Sequence, residues 1–203
     1  MEYLEILRKD KVLSEIIAEP LKLKKKKSDL YFTLLRAVAG QQLSTKAADT
    51  IWKRFVALFP DEYPHASQIL SLDNERIRAV GFSYQKANYL KNIAGYHIEH
   101  DLNSAKIKRM KDDKLKEFLT IIKGVGTWTV EMILMFSLNK TDIFPIDDLG
   151  IQNAMKMIYT IPETKKEMKI KMLEIAESWR PYRTYACLYL WRHKDNKPIN
   201  NKL

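Results

Sequence analysis

Two groups of residues in this 203-residue chain have the types and spacing for chemistry. The first is Gly124-Val125-Gly126, preceded by Ile122-Lys123 and followed by Thr127-Trp128-Thr129. Glycines permit positive φ and let another backbone approach closely. A helix beginning near Thr127 would aim N–H groups and its positive dipole end outward, which suits a phosphate. The second is Phe144-Pro145-Ile146-Asp147-Asp148-Leu149-Gly150, which brings adjacent carboxylates to a turn. A Gly-x-Gly alone is a common turn; its weight comes from these neighbours. A phosphate-gripping turn joined by one helix to a carboxylate is the layout expected of an enzyme that attacks a sugar held in a nucleic-acid backbone.

The elements that must position these groups read as helices throughout. Glycine totals six and proline seven, and no run of period-two alternation is flanked by turn residues. Residues 11–18 carry Val12, Leu13, Ile16 and Ile17 on one face after a possible Asp10 cap. Residues 30–39 and 45–59 are apolar-striped and split by Gly40-Gln41-Gln42-Leu43-Ser44. Further helices are predicted over 66–71, 73–80, 84–97, 104–110 and 112–121. Residues 127–138 hold Trp128, Met132, Met135 and Leu138 with Glu131 as the single charge, so this helix is expected to be buried nearly all round. After the aspartates come 149–159, 165–179 and 182–193, then a tail from Lys194 onward that is expected to fray. No internal repeat or low-complexity linker is present.

Composition narrows the partner. Lys and Arg number 35 against 25 acidic residues, a formal charge of +10. That excess favours a polyanion, since each neutralised phosphate releases condensed counterions. Hydrophobic residues at 46% and charged residues at 30% are the balance of a globular protein rather than a disordered one. No apolar run approaches a membrane span, and Met1-Glu2-Tyr3-Leu4 lacks the basic-then-apolar design of a secretion signal. Cys187 stands alone, which excludes an internal disulfide framework and a cysteine-ligated cluster. A reducing cytoplasm with nucleoid association fits, or a nucleus if the source is eukaryotic. The basic run Lys24–Lys27 is read first as a solvated turn and second as a DNA contact.

Ile122-Lys123-Gly124-Val125-Gly126-Thr127-Trp128-Thr129 followed by Phe144-Pro145-Ile146-Asp147-Asp148-Leu149-Gly150-Ile151 resembles the helix-hairpin-helix DNA glycosylase superfamily. More narrowly it is similar to the alkylation-repair branch, the DNA-3-methyladenine glycosylase II family. The likeness extends to Val38-Ala39-Gly40-Gln41-Gln42-Leu43-Ser44, Gly81-Phe82-Ser83, Lys86-Ala87 and Trp179-Arg180-Pro181-Tyr182, in order over about residues 30–191. About 28 residues precede that region, so the compact form of the family is expected rather than the one with an additional N-terminal sheet domain.

The resemblance implies that Asp148 is the catalytic carboxylate. Cleaving an N-glycosidic bond builds positive charge on the sugar, and a fixed, ionised carboxylate beside it stabilises that charge and can orient or deprotonate water. Asp147 is the competing candidate, or a cap of the following helix. Bifunctional relatives place a nucleophilic lysine where this chain has Trp128, so a monofunctional enzyme without lyase activity is implied. Trp128 and Trp191 match positions of pocket aromatics, whose electron-rich faces attract a cationic alkylated purine such as 3-methyladenine or 7-methylguanine once it is flipped out. Met132 stands where some relatives carry tyrosine, and filling a core is the alternative role for these tryptophans, as is expected of Trp52 and Trp179. Gln42 matches the residue that plugs the gap left by the extruded base, while Gln41 is expected to cap or bridge helices. The expected DNA contacts are Gln42, Ser44, Lys123, Gly124, Val125, Gly126, Thr127 and Thr129.

No cofactor is expected. His65, His97, His100 and His193 show no ligand pattern beyond His97-x-x-His100, read as incidental. The resemblance allows a monovalent cation on the backbone of the 122–127 hairpin. The fold expectation is all-α: a single unit with two helical lobes flanking a cleft. One lobe covers about 29–145, with the hairpin at 122–129, and the other joins 1–28 to 146–203. The partner is double-stranded DNA containing alkylated bases, and a monomer is expected. The rivals are a non-catalytic hairpin DNA binder and a glycosylase for deaminated or oxidised bases.

Overall fold

The computed structural model describes residues 1–23, 29–162 and 164–195, with the side chain of Lys108 left aside. These residues are all-α: thirteen helices among the described residues, and no strand. In chain order they are α1 (Glu2–Leu7), α2 (Lys11–Ser14), α3 (Leu30–Gly40), α4 (Thr45–Val56), α5 (Ala66–Ser71), α6 (Asn74–Ala79) and α7 (Tyr84–His100). Then come α8 (Ala105–Lys108), α9 (Asp112–Thr120), α10 (Thr127–Phe136), α11 (Leu149–Ile158), α12 (Lys165–Glu177) and α13 (Arg183–Asp195). The predicted segments anticipated every helix except α1, and the helix expected over 11–18 ends at Ser14. The basic run Lys24–Lys27 and the tail from Asn196 lie outside the described residues.

The chain forms two compact units, Lys27–Ile133 and Met1–Lys26 with Leu134–Leu203. Residues 134–145, expected with the central lobe, cluster instead with the terminal segments. The reason is local to α10: its last turn is apolar, with Leu134 and Met135 fully buried, and the chain after it is tied down by residues near 184.

In the unit Lys27–Ile133, α3 packs on α4 and α7, and α5 and α6 also pack on α7. Leu34, Leu35, Val38, Leu90, Ile93 and Ala94 are buried between them. Asp29 starts α3 by accepting the Phe32 N–H at 2.9 Å, a cap of about 1 kcal/mol. Its carboxylate also accepts the Tyr63 hydroxyl at 2.7 Å and Asn103 Nδ2 at 3.0 Å. Burial pushes its pKa upward, but these donors together outweigh that and hold it below the usual carboxylate value.

In the other unit, α11 packs on α13 around Ile151, Ala154, Met155, Cys187 and Leu190, all fully buried. Asp10 caps α2 through Val12 and Leu13 N–H, each at 3.0 Å. Its second oxygen accepts the Tyr159 hydroxyl at 2.7 Å and Trp179 Nε1 at 2.9 Å, so one cap residue also anchors the ends of α11 and α12. Trp179 is fully buried and Trp52 nearly so, which makes both core residues.

Candidate active site and nucleic-acid interface

The hairpin is built between α9 and α10. Ile122 and Val125 are buried, and the Val125 N–H closes the turn on the Ile122 carbonyl at 2.9 Å. Gly124 has φ +105°, and a Cβ there would stand 2.2 Å from the Tyr89 ring. Only glycine fits that backbone and that packing. Gly126 is different: its φ is ordinary, it is exposed, and a Cβ on it would meet nothing within 4 Å. Its carbonyl accepts the Val130 N–H at 3.1 Å, the first bond of α10. A helix's first turn leaves its N–H groups without intrahelical acceptors, so open space at Gly126 is where an anion can approach them.

Gln41 holds the α3–α4 loop to this hairpin. Its Nε2 donates to the Gly124 carbonyl at 3.2 Å and to Thr129 Oγ1 at 3.1 Å. Thr129 was an expected DNA contact, but its side chain is buried and engaged by Gln41, so it supports the hairpin from within. Ser44 is exposed and caps α4, accepting the Ala47 N–H at 3.3 Å. Gln42 is exposed with φ +58°, a left-handed conformation that costs a non-glycine residue energy and marks a deliberately shaped loop. Lys86 holds that shape: its Nζ donates to the Ala39 carbonyl at 2.8 Å and to the Gln41 carbonyl. Burial lowers the Lys86 pKa.

Gln42, Lys123, Gly124, Val125 and Gly126 line one open cleft of about 450 Å³, joined there by Ser83, Gln85, Lys86 and Tyr89 from α7 and the residue before it. Lys123 and Thr127 are exposed, while the Val125 side chain is buried and only its backbone is in question as a contact. Lys86 had no assigned role in the sequence. Its position three residues after Ser83 was visible, but the carbonyls it binds are more than forty residues away.

The α10 helix is not buried all round. Thr129, Val130, Glu131, Ile133, Leu134 and Met135 are buried, whereas Trp128 is 46% exposed and Met132 and Phe136 are partly open. Spacing of four residues puts Trp128, Met132 and Phe136 on one partly exposed apolar side of the helix. Phe136 was missed, although its place four residues beyond Met132 was legible. Buried Glu131 pairs with Lys116 at 2.8 Å, tying α10 to α9.

The carboxylates separate clearly. Asp147 is exposed and ion-paired with Lys169. Asp148 is the one that caps α11: its Oδ1 accepts the Ile151 N–H at 2.8 Å and Trp191 Nε1 at 2.9 Å. The capping alternative offered for Asp147 therefore belongs to its neighbour. The approach to Asp148 is fixed from several sides. Buried Thr184 donates to the Lys140 carbonyl at 2.7 Å and accepts the Ile143 N–H at 3.1 Å. Arg183 Nε reaches Asp142 at 2.6 Å. Gln152 Nε2 donates to the Ile146 carbonyl at 2.8 Å, and Asp148 N–H donates to the Pro145 carbonyl at 3.0 Å. Trp191 also lies against Phe136, ring centroids 5.9 Å apart. Trp128 and Met132 belong to the unit Lys27–Ile133, and Phe136, Asp148 and Trp191 to the terminal one.

A carboxylate held by two N–H donors, an open apolar helix face and a turn that presents N–H groups are parts suited to an enzyme acting on a nucleic acid. Comparison with known proteins agrees with that reading. Residues 35–181 match the model of the HhH-GPD superfamily of base excision DNA repair proteins. DNA-3-methyladenine glycosylase 1 of Schizosaccharomyces pombe is 40% identical over 182 residues, covering 87% of this chain and 79% of that protein. The solved structure of the Schizosaccharomyces pombe 3-methyladenine DNA glycosylase in complex with abasic DNA superposes with a TM-score of 0.76 at 36% identity, covering 96% of this chain and 97% of that one. A DNA-3-methyladenine glycosidase from Bacillus halodurans superposes with a TM-score of 0.81 at 31% identity, over 93% and 87% of the two chains. This chain belongs to the HhH-GPD superfamily of base excision DNA repair proteins.

Proposed function

We propose that this protein is a monofunctional DNA glycosylase of base excision repair. It flips alkylated purines of the 3-methyladenine and 7-methylguanine type out of duplex DNA and hydrolyses their N-glycosidic bond, leaving an abasic site. The observation that carries the reading is the Asp148 carboxylate, held on Oδ1 by Ile151 N–H and Trp191 Nε1. The relatives named for 3-methyladenine support the substrate class.

An N-alkylated purine is cationic, so it is both a good leaving group and a better partner for an electron-rich ring than a normal base. The Trp128–Met132 face of α10 offers such a surface, and lesion choice lies there. As the glycosidic bond stretches, positive charge grows on the sugar. Asp148 stabilises it electrostatically and orients or deprotonates the attacking water. Position 128 holds an indole rather than an amine, so no Schiff base forms. The hairpin backbone from Lys123 to Thr127 grips a phosphate, and Gln42 enters the duplex where the base has left.

The test is single-turnover base release from alkylated duplex DNA by wild type and Asp148→Asn. The asparagine oxygen can still accept both N–H groups, so the fold is kept while the charge is lost. Release should fall at least about a hundredfold, in the range of losing a principal transition-state charge, with binding to an abasic-site duplex retained. Borohydride should trap no covalent adduct. Full activity in Asp148→Asn, or a trapped adduct, would overturn the mechanism, and wild-type release of only deaminated or oxidised bases would overturn the substrate class.

A further inference from the structure

Gly150 is the second residue of α11, in ordinary helical conformation, where glycine is about 1 kcal/mol worse than alanine. The backbone there does not ask for it. Its neighbours do: a Cβ on Gly150 would stand 2.8 Å from Trp191 Nε1, and 2.9 Å from both Trp191 Cδ1 and Asp148 Oδ1. The bare α-carbon is the gap through which the indole edge reaches the carboxylate. α13 brings Trp191 there from 43 residues away.

We infer that Trp191 acts through its indole N–H as a positioning residue for Asp148, and that Gly150 is present to admit it. The inference rests on the proposed glycosylase reading and refines what Trp191 does within it. Backbone N–H of Ile151 reaches Oδ1 along the helix axis side, as any cap does. A donor from another helix, reaching the same oxygen at 2.9 Å, adds a restraint from a second direction. Trp191 thereby sets the direction in which the carboxylate faces the sugar. The contact of Trp191 with Phe136, rings tilted by 32° at 5.9 Å, holds the indole in that pose. A role as a stacking surface for the base needs only the ring; the positioning role needs the N–H.

That distinction is testable with Trp191→Phe, which keeps an aromatic ring and deletes the donor, and with Gly150→Ala, which keeps the donor and closes the gap. Single-turnover base release should fall about ten- to a hundredfold in each, the range of one hydrogen bond to a charged group. Half-saturating concentrations for an abasic-site duplex should move less than about threefold. The double variant should be no slower than the worse single one, because both remove one contact. A wild-type rate in Trp191→Phe, additive losses, or a change confined to stability would overturn the inference. One of the chain's four indole N–H resonances disappears in Trp191→Phe and is thus assigned. It should shift in both Asp148→Asn and Gly150→Ala. This readout needs no activity, so it tests the contact even if the substrate proves to be different. An unmoved resonance in both variants would overturn the inference.

Discussion

Replacing the two hairpin glycines by alanine, one at a time, should separate folding from DNA binding. Gly124 sits at φ +105°, a region that costs L residues about 1–2 kcal/mol. A Cβ there also stands 2.2 Å from Tyr89 Cγ and 2.6 Å from Cδ1 and Cδ2, the root of the ring rather than its free end. The ring is held at its tip too, since Gln85 Nε2 donates to the Tyr89 hydroxyl at 2.6 Å. Forcing it aside costs about 1–3 kcal/mol of overpacking. Gly124→Ala should therefore lose about 2–5 kcal/mol, a large share of the roughly 5–15 kcal/mol that stabilises a typical protein. Gly126→Ala meets nothing within 4 Å and no backbone strain, so its stability should stay within about 0.5 kcal/mol of wild type. Its methyl would instead occupy the approach to the first-turn N–H groups of α10, weakening duplex binding by about tenfold, the loss of roughly one phosphate hydrogen bond. Urea denaturation and fluorescence anisotropy with an abasic-site duplex at fixed salt measure the two effects. An unchanged unfolding midpoint in Gly124→Ala would refute the packing argument. Wild-type affinity in Gly126→Ala would refute the hairpin as the phosphate grip.

Two further outcomes follow from buried groups outside the carboxylate site. His97 is half-buried, stacked on Tyr31 at 4.2 Å, and accepts the Leu102 N–H on Nδ1 at 3.0 Å. Burial lowers its pKa below the ordinary 6.5, against the opposing pull of Asp101 and Asp29. As pH falls the unfolded chain takes up this proton first, so the stability contribution is complete above 6.5 and is lost from there down to the depressed value. The urea midpoint should drop as pH falls below 6.5, and His97→Gln should flatten the drop; an identical slope in the variant would refute the assignment. Lys86→Met keeps the packing of the stem but removes the donor to the Ala39 and Gln41 carbonyls. It should cost about 1–3 kcal/mol, speed amide exchange at residues 41–44 and weaken duplex binding. Unaltered exchange there would show that Lys86 does not hold the Gln42 loop.

Much of this protein was legible along the chain because the signals are local. The stripes of α3, α4, α7 and α9 to α13, the Asp10 cap of α2, the Gly124-Val125-Gly126 turn and the Asp147-Asp148 pair all depend on neighbours within a few residues. Those short-range patterns also carried the family, which residues 35–181 match as a unit. What they could not carry were contacts between residues far apart in sequence. Nothing near Asp147 and Asp148 says that Lys169 takes one and Trp191 the other, 22 and 43 residues on. Nothing around Thr129 reveals that Gln41, 88 residues earlier, buries it. The helical stripe of α10 hid a partly exposed side, because periodicity gives which residues share a side but not how far that side is buried. Gly150 makes the same point most sharply: its requirement comes from no turn and no dihedral angle, but from the Asp148 carboxylate and the indole that α13 delivers to it. Local propensity chooses the elements and their caps; the packing of those elements chooses which side chain meets which, and the role proposed for Asp148 depends on the second.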